Sequence, residues 1–340
     1  MLATHDLWTT LRLQIVNKSN GIGKFSMDYT RFLNTYSIVA FDHATQQLGV
    51  AVQTHQVSVG RMVPFILPGI GAVATQSLVN ISYGPMALSM LHEGVAASDV
   101  INGLIATDSE HNRRQVAIVD SQGNVGAYTG DGCIPHAGHK IGDGYSVQAN
   151  MMTNDTVIPA MAEAYETSKG SLAHRMMAAL VAAQNEDGDI RGQQSAALYV
   201  IGNDRTISHW DYDYNLRIDE SDQPLTDMQR LVDYQHAKFV SQAGNERLAD
   251  GDVDGALKLW RDARDIAPDD EELAFWQGVT LADKNPTHNA VSVAARIIEQ
   301  AIRQDDRFEH WVELILRLET VGIIERTGAG QELLVELKQM

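Results

Sequence analysis

Several short stretches of this 340-residue chain gather side chains able to do chemistry. The run GDGCIPHAGHKIGDG places Cys133, His136 and His139 at three-residue intervals, with Asp131 and Asp143 beside them. Thiolate and imidazole are zinc ligands, and C-x2-H-x2-H fits in one loop, although the spacing names no fourth ligand. Cys133 with His136 or His139 as its base would also make a thiol nucleophile, and the whole run equally reads as a packed loop beside a cleft. The block GDIRGQQS sets Asp189, Arg191, Gln193 and Gln194 just ahead of an apolar run, and Arg114-Gln115 precede another. An arginine fork meets a carboxylate through two parallel bonds, which makes Arg114, Gln115, Asp189, Arg191 and Gln194 candidate substrate-binding residues. Asp189 and Arg191 also read as a structural ion pair. Gln76 ends GAVATQ and Asn150 ends YSVQAN. Amides in those positions can hold a substrate carbonyl or an oxyanion, or satisfy buried backbone groups.

The elements that must position these groups follow from periodicity. TYSIVAFD at 35–42 and LGVAVQT at 48–54 alternate and are rich in β-branched residues, which predicts a hairpin. VPFILPGIG and GAVATQS add strands between Gly and Pro turns, and YGPMALSMLHEGVAASDVINGLIATD takes helical spacing divided at Gly94. RQVAIVD-SQGN-VGAYTG predicts a second hairpin turning at Gly123-Asn124. TVIPAMAEAYETS and SLAHRMMAALVAAQNE then read as helices and SAALYVIG as a strand. Strands, two helices, strands, two helices and a final strand imply an α+β fold with two sheets between helical layers, a four-layer αββα order. Near Asp219 the composition turns polar, and beyond it the pattern is helical. The boundary is placed near 240, giving an extension 1–34, a sandwich 35–240 and an all-α tail 241–340. The Gly251-Asp252 turn, Ala256, Ala263 and Pro268 fall where a tetratricopeptide repeat has its turn, small packing residues and proline.

Composition bounds the function classes. The formal charge of −18, from 44 acidic and 26 basic residues, describes a solvated acidic surface that repels nucleic acid and anionic lipid. One cysteine excludes an intramolecular disulfide, so the cytoplasm is the default compartment, and no apolar stretch approaches the ~20 residues needed to cross a membrane. The first 34 residues lack the pattern of a signal peptide and read as a propeptide, a loose extension or a misplaced start, with Met27 an alternative beginning. No P-loop and no G-x-G-x-x-G in strand-to-helix context is present, so no cofactor is expected.

TYSIVAFD, GAVATQS with Tyr83-Gly84, RQVAIVDSQGNVGAYTGDGC and GDIRGQQSAALYV together resemble the DUF1028 family from Thr35 to about Arg230. That resemblance implies a fold similar to N-terminal-nucleophile (Ntn) hydrolases, with Thr35 at the position where members begin. A leading threonine supplies both a hydroxyl nucleophile and, in its own α-amine of reference pKa ~7.7–8.0, the base that activates it. The resemblance thus points to Thr35 and His55, and the strand-end reading adds Gln76 and Asn150, as the catalytic set of an amidohydrolase acting on a small polar amide. His55 stands where relatives are expected to carry Lys or Arg, which leaves less positive charge at neutral pH. A non-catalytic ligand-binding or scaffold protein, and a metal-dependent hydrolase using Cys133, His136 and His139, are the alternatives. Because one repeat cannot cover its own apolar face, the tail is expected to dock on the sandwich or on a second copy in a homodimer through Leu257, Trp260, Phe275 and Trp276, or to bind a protein partner.

Overall fold

The computed structural model describes residues 32–33, 35–285, 287–302 and 308–340. Eleven strands are β1 (Phe32–Leu33), β2 (Thr35–Asp42), β3 (Gln47–Thr54), β4 (Pro64–Leu67), β5 (Gly71–Leu78), β6 (Arg114–Asp120), β7 (Val125–Thr129), β8 (Gly138–Gly142), β9 (Tyr145–Ala149), β10 (Ser195–Gly202) and β11 (Tyr214–Ile218). All pairings are antiparallel and make two sheets. In the first, β1 and β4 both pair with β5, which is followed by β6 and β7; the second runs β11-β10-β3-β2-β9-β8. The expected hairpins are present, and Gly123 at φ 84 closes the β6–β7 turn while Asp120 Oδ1 accepts the Gln122 and Asn124 N–H groups.

Strand alternation decides what each face meets. Val39 and Phe41 of β2 join Ala72 and Ala74 of β5 and Ala117 and Val119 of β6 in one cluster, so these side chains fill the space between the sheets. The intervening Ile38 and Ala40 point the other way, onto Met161, Leu172 and Met176. Those residues belong to α3 (Val157–Thr167) and α4 (Leu172–Asn185). On the far side of the first sheet, α1 (Tyr83–His92) and α2 (Ala97–Ala106) press Leu88, Leu91, Val100 and Leu104 onto Val73, Val116 and Ile118. Two stacked sheets therefore lie between two helix pairs.

Besides the short β1, which falls in the stretch read as an extension, the described structure adds two strands to the sequence reading. Gly138–Gly142, read as loop, is the edge strand β8, and Tyr214–Ile218 is the opposite edge, β11. Both are edge strands with exposed positions, so neither carries the apolar run that marks a central strand.

The tail begins on a shared element. Helix α5 (Pro224–Ala249) seats Leu225, Met228 and Val232 in the sandwich core and Leu248 in the tail core, so residue 240 lies inside a continuous helix. It is followed by α6 (Val253–Ile266), α7 (Glu271–Lys284), α8 (His288–Ile302), α9 (Phe308–Thr320) and α10 (Ala329–Gln339). Of the expectation that Leu257, Trp260, Phe275 and Trp276 dock the tail on the sandwich or on a second copy, the sandwich arm is corrected. Trp260 and Phe275 are wholly buried in the helical cluster with Ala294, Ile298, Ile315 and Leu333, Leu257 packs against its edge, and Trp276 is 37% exposed. Later helices supply the apolar cover that one repeat lacks, and α5 makes the joint to the sandwich.

Candidate functional site

The layer between the sheets changes character along its length. It is apolar around Val39, Ala74 and Ala117, then one step further along the same faces it becomes polar at Ser37 and Thr35 of β2, Gln76 of β5, Gln115 of β6, and Ser146 and Gln148 of β9. These residues, with Thr54 and Asn150, are all fully buried. Buried amides and hydroxyls are tolerated only when bonded, and here they bond one another across the two sheets. Ser37 Oγ donates to Gln76 Oε1 at 2.6 Å, and Gln148 Nε2 donates to Ser37 Oγ at 2.6 Å. Gln76 Nε2 donates to the Thr35 carbonyl at 3.1 Å and to Gln115 Oε1 at 2.7 Å. Asn150 Nδ2 also donates to Gln115 Oε1, at 2.9 Å, and its backbone N–H meets Thr35 O at 3.1 Å. Gln115 Nε2 continues to Thr129 Oγ1 at 2.9 Å, and that hydroxyl lies 2.9 Å from His139 Nδ1 at the rim.

Among the described residues two side-chain atoms in this end of the layer between the sheets have no hydrogen-bond partner: Thr35 Oγ1 and Asn150 Oδ1. The residues after Gln76 and Asn150, Ser77 and Met151, hold left-handed backbone at φ 70 and 58. Such non-glycine positions cost of order 1–3 kcal/mol and gather at functional sites. The chain enters Thr35 from β1, whose backbone pairs with Ser77 and Leu78 of β5. Apart from Phe32 and Leu33, the extension 1–34 lies outside the described residues.

The predicted residues divide. Thr35, Gln76, Gln115 and Asn150 come together, but the amide donors of Gln76 and Asn150 are spent on Thr35 O and Gln115. They position Thr35, and what Asn150 offers is an acceptor oxygen. Asp189, Arg191, His55 and Gln194 meet at the end of β3. Asp189 accepts from Arg191 Nη2 at 2.7 Å and from the His55 N–H at 3.3 Å, and Gln194 N–H bonds Thr54 O at 3.0 Å. The His55 ring is exposed, 3.3 Å from Gln193 O.

Arg114 lies elsewhere. Strand alternation turns it toward the α1–α2 layer, where Nε meets Asp108 Oδ2 at 2.8 Å and Nη2 meets Glu110 at 3.2 Å. The Arg114 guanidinium beside Asp108 holds that carboxyl well below the usual carboxylate range, helped by the Glu110 N–H and by the Tyr83 hydroxyl at 2.9 Å. A depressed folded-state pKa gives stability that is complete above the unfolded value of ~3.9 and is lost as pH falls below it. Asp108→Asn should cost about 3 kcal/mol at pH 7, because the buried guanidinium loses its nearest counter-charge and keeps only the more exposed Glu110 and the Leu78 carbonyl, and the gap to wild type should narrow below about pH 4 in urea midpoints taken from pH 7 to 2. A gap constant down to pH 2 would mean the pair does not govern acid stability.

Cys133 is buried with its thiol 3.4 Å from Arg114 O, and burial pushes its pKa up, which disfavours the thiolate that nucleophilic attack or zinc requires. His136 and His139 are exposed. Among the described residues no three His, Cys, Asp or Glu side chains are grouped to hold a metal ion.

The sequence reading missed Ser37, Thr54, Thr129, Ser146 and Gln148. Thr54 and Thr129 carried a signal, each a polar residue on a strand face whose other inward residues are apolar; Ser146 and Gln148 are the two inward positions of β9 and both are polar, as are Thr35 and Ser37 at one end of β2, so those faces read as polar strand faces.

Two face-to-face antiparallel sheets, helices on both outer faces and a buried end of uncharged amides and hydroxyls define an α+β protein whose candidate site lies between its sheets. The model of a "Family of unknown function (DUF1028)" matches residues 35–228, and the chain belongs to that family. A solved structure, that of a Silicibacter pomeroyi protein described by the same DUF1028 family model, is similar at 31% identity and a TM-score of 0.54, covering 60% of this chain and 89% of that one. No curated protein matches. Among the described residues no helix is long and apolar enough to cross a membrane.

Proposed function

We propose that this protein is a cofactor-independent amide-bond hydrolase with Thr35 as its nucleophile, on a sandwich of the Ntn-hydrolase type with a tetratricopeptide-like tail. The observation that carries the reading is the pair of unpartnered buried atoms, Thr35 Oγ1 and Asn150 Oδ1, in a cleft end where the neighbouring amides are bonded. A hydroxyl and an acceptor oxygen left over together suit an amide: the hydroxyl attacks its carbonyl carbon and the acceptor holds its N–H. Removal of residues 1–34 would turn the Thr35 nitrogen into an α-amine and take β1 away from Ser77 and Leu78, opening the site on that side.

In the reaction, the α-amine takes the Oγ proton as Oγ bonds the carbonyl carbon. The C–N bond then breaks, the leaving nitrogen receives that proton, and an ester to Thr35 remains. Water, deprotonated by the same amine, cleaves the ester and returns the hydroxyl. Gln76, Ser37, Gln115 and Gln148 keep the Thr35 backbone fixed and carry no charge that would compete for the amine's proton.

Intact-mass measurement of protein fractions, matched to their hydrolysis of a panel of small amides, tests this. Activity should reside in molecules that begin at Thr35. Full activity in molecules that retain residues before Thr35 removes the mechanism.

A further inference from the structure

A second cluster of nucleophilic and titratable side chains lies on the other face of the second sheet, where Tyr214 of β11 joins the core formed by α4 and α5. Ser171 caps the N-terminus of α4 by accepting the His174 N–H at 3.4 Å. Its Oγ also lies 2.7 Å from His174 Nδ1, and His174 Nε2 lies 3.2 Å from Asp233 Oδ1 on α5. A carboxylate only accepts, so the imidazole carries its proton on Nε2, and Nδ1 is left to accept from the Ser171 hydroxyl. Serine, imidazole and carboxylate are therefore linked in the order, and with the tautomer, that makes a serine nucleophilic.

A helix cap needs only the serine oxygen, and the cluster holds more than that. Asp233 Oδ1 accepts from Gln229 Nε2 at 2.8 Å, one turn earlier on α5, and the His174 ring packs edge-on against His236 with centroids 4.9 Å apart. The base and its carboxylate are thus held in place. They are also reachable, with the side chains of His174 and Asp233 24% and 33% exposed and Ser171 half-buried.

Two kinds of donor stand beside the serine. The N–H groups of Leu172 and Ala173 open α4 and have no carbonyl one turn back in the helix to bond. Independently, Tyr214, 2% exposed, brings its hydroxyl next to Ser171, and among the described residues that hydroxyl meets no hydrogen-bond partner. A buried phenol without an acceptor is costly, and an oxyanion formed on a carbonyl attached to Ser171 supplies one.

We propose that Ser171, His174 and Asp233 form a second hydrolytic site that cleaves small carboxylic esters and does not depend on the Thr35 reading. Ser171 Oγ bonds the ester carbonyl carbon as its proton passes to His174 Nδ1. The C–O bond breaks, the leaving alkoxide takes that proton, and the acyl group stays on Ser171. Water, deprotonated by His174, releases the acid and returns the serine hydroxyl. Asp233 orients the imidazole and stabilises its charged form. His174 alone protonates the leaving group in this arrangement, which suits an alcohol better than an amine.

The test is labelling of the full-length protein with a fluorophosphonate, read by intact mass and by the modified peptide, beside hydrolysis of p-nitrophenyl acetate. One label per chain is expected, on Ser171. Ser171→Asn, which keeps a capping acceptor without a hydroxyl, should abolish the label and lower ester turnover at least about tenfold. His174→Gln and Asp233→Asn leave both cap and hydroxyl in place, and each should slow labelling at least about tenfold, which guards against a cap variant that folds poorly. No label, a label on any other residue, ester turnover kept in Ser171→Asn, or a smaller effect of His174→Gln or Asp233→Asn overturns the site.

Discussion

Thr35→Ala is expected to lower amide hydrolysis at least about 10⁴-fold, because loss of a nucleophile removes the covalent route and leaves only substrate binding and the fixed dipoles of the cleft. The same substitution should leave stability within about 1 kcal/mol of wild type, or raise it. Thr35 Oγ1 is buried and has no hydrogen-bond partner, so alanine removes no bond and relieves the desolvation of a hydroxyl. Activity lost with stability kept separates a chemical role from a strand residue's packing role. Thr35→Ser, which keeps the hydroxyl, should retain turnover. The comparison needs kcat/KM on one responsive amide and a urea curve for each protein. A loss of 2 kcal/mol or more in Thr35→Ala, or turnover near wild type, would remove Thr35 from the mechanism.

Trp260→Ala should cost about 3–5 kcal/mol, the range for truncating a fully buried aromatic side chain. Trp260 is 0% exposed, and its ring lies so close to Gly244 of α5 that a Cβ there would come within 2.5 Å of it. Its indole N–H bonds Ser241 O and Asn245 Oδ1 at 3.1 Å each, so truncation also strands two acceptors. The damage should be local to the tail. Hydrogen exchange should rise in α6 to α8 and in the second half of α5, while the strands around Thr35 stay protected. Trp276→Ala, at a residue 37% exposed, should cost under about 1 kcal/mol. Equal costs for the two tryptophans would mean that Trp276 anchors the tail as much as Trp260 does.

Fold legibility followed burial. Central strands such as TYSIVAFD and SAALYVIG announced themselves because both faces are covered and every residue must suit a packed sheet. The edge strands β8 and β11 did not, since exposed edges tolerate Lys140, Asn215 and Arg217, which erase the pattern. The tail's helices were legible from their spacing, but their partners were not. Trp260 and Trp276 look alike in a helical pattern, and only the approach of Gly244 and of α8 to α10 decides which is enclosed.

For the site, the sequence by itself supplied the chemical types: a threonine leading the first central strand, glutamines and an asparagine at strand ends, and an Asp-x-Arg pair ahead of a strand. Strand periodicity determines that such residues lie on one face or the other. It cannot say which two sheets stack, because stacking depends on contacts between residues distant in the chain. Only the tertiary structure brings Gln76 and Gln115 from one sheet against Ser37 and Asn150 from the other, uses up their donors, and leaves Thr35 Oγ1 and Asn150 Oδ1 over. It also separates Arg114 from Arg191. Both arginines precede apolar strands, but one is turned by the pleat onto Asp108 under a helix, and the other is carried by its loop round to Thr54, because a hydrogen bond's partner is set by position in space and not by order along the chain.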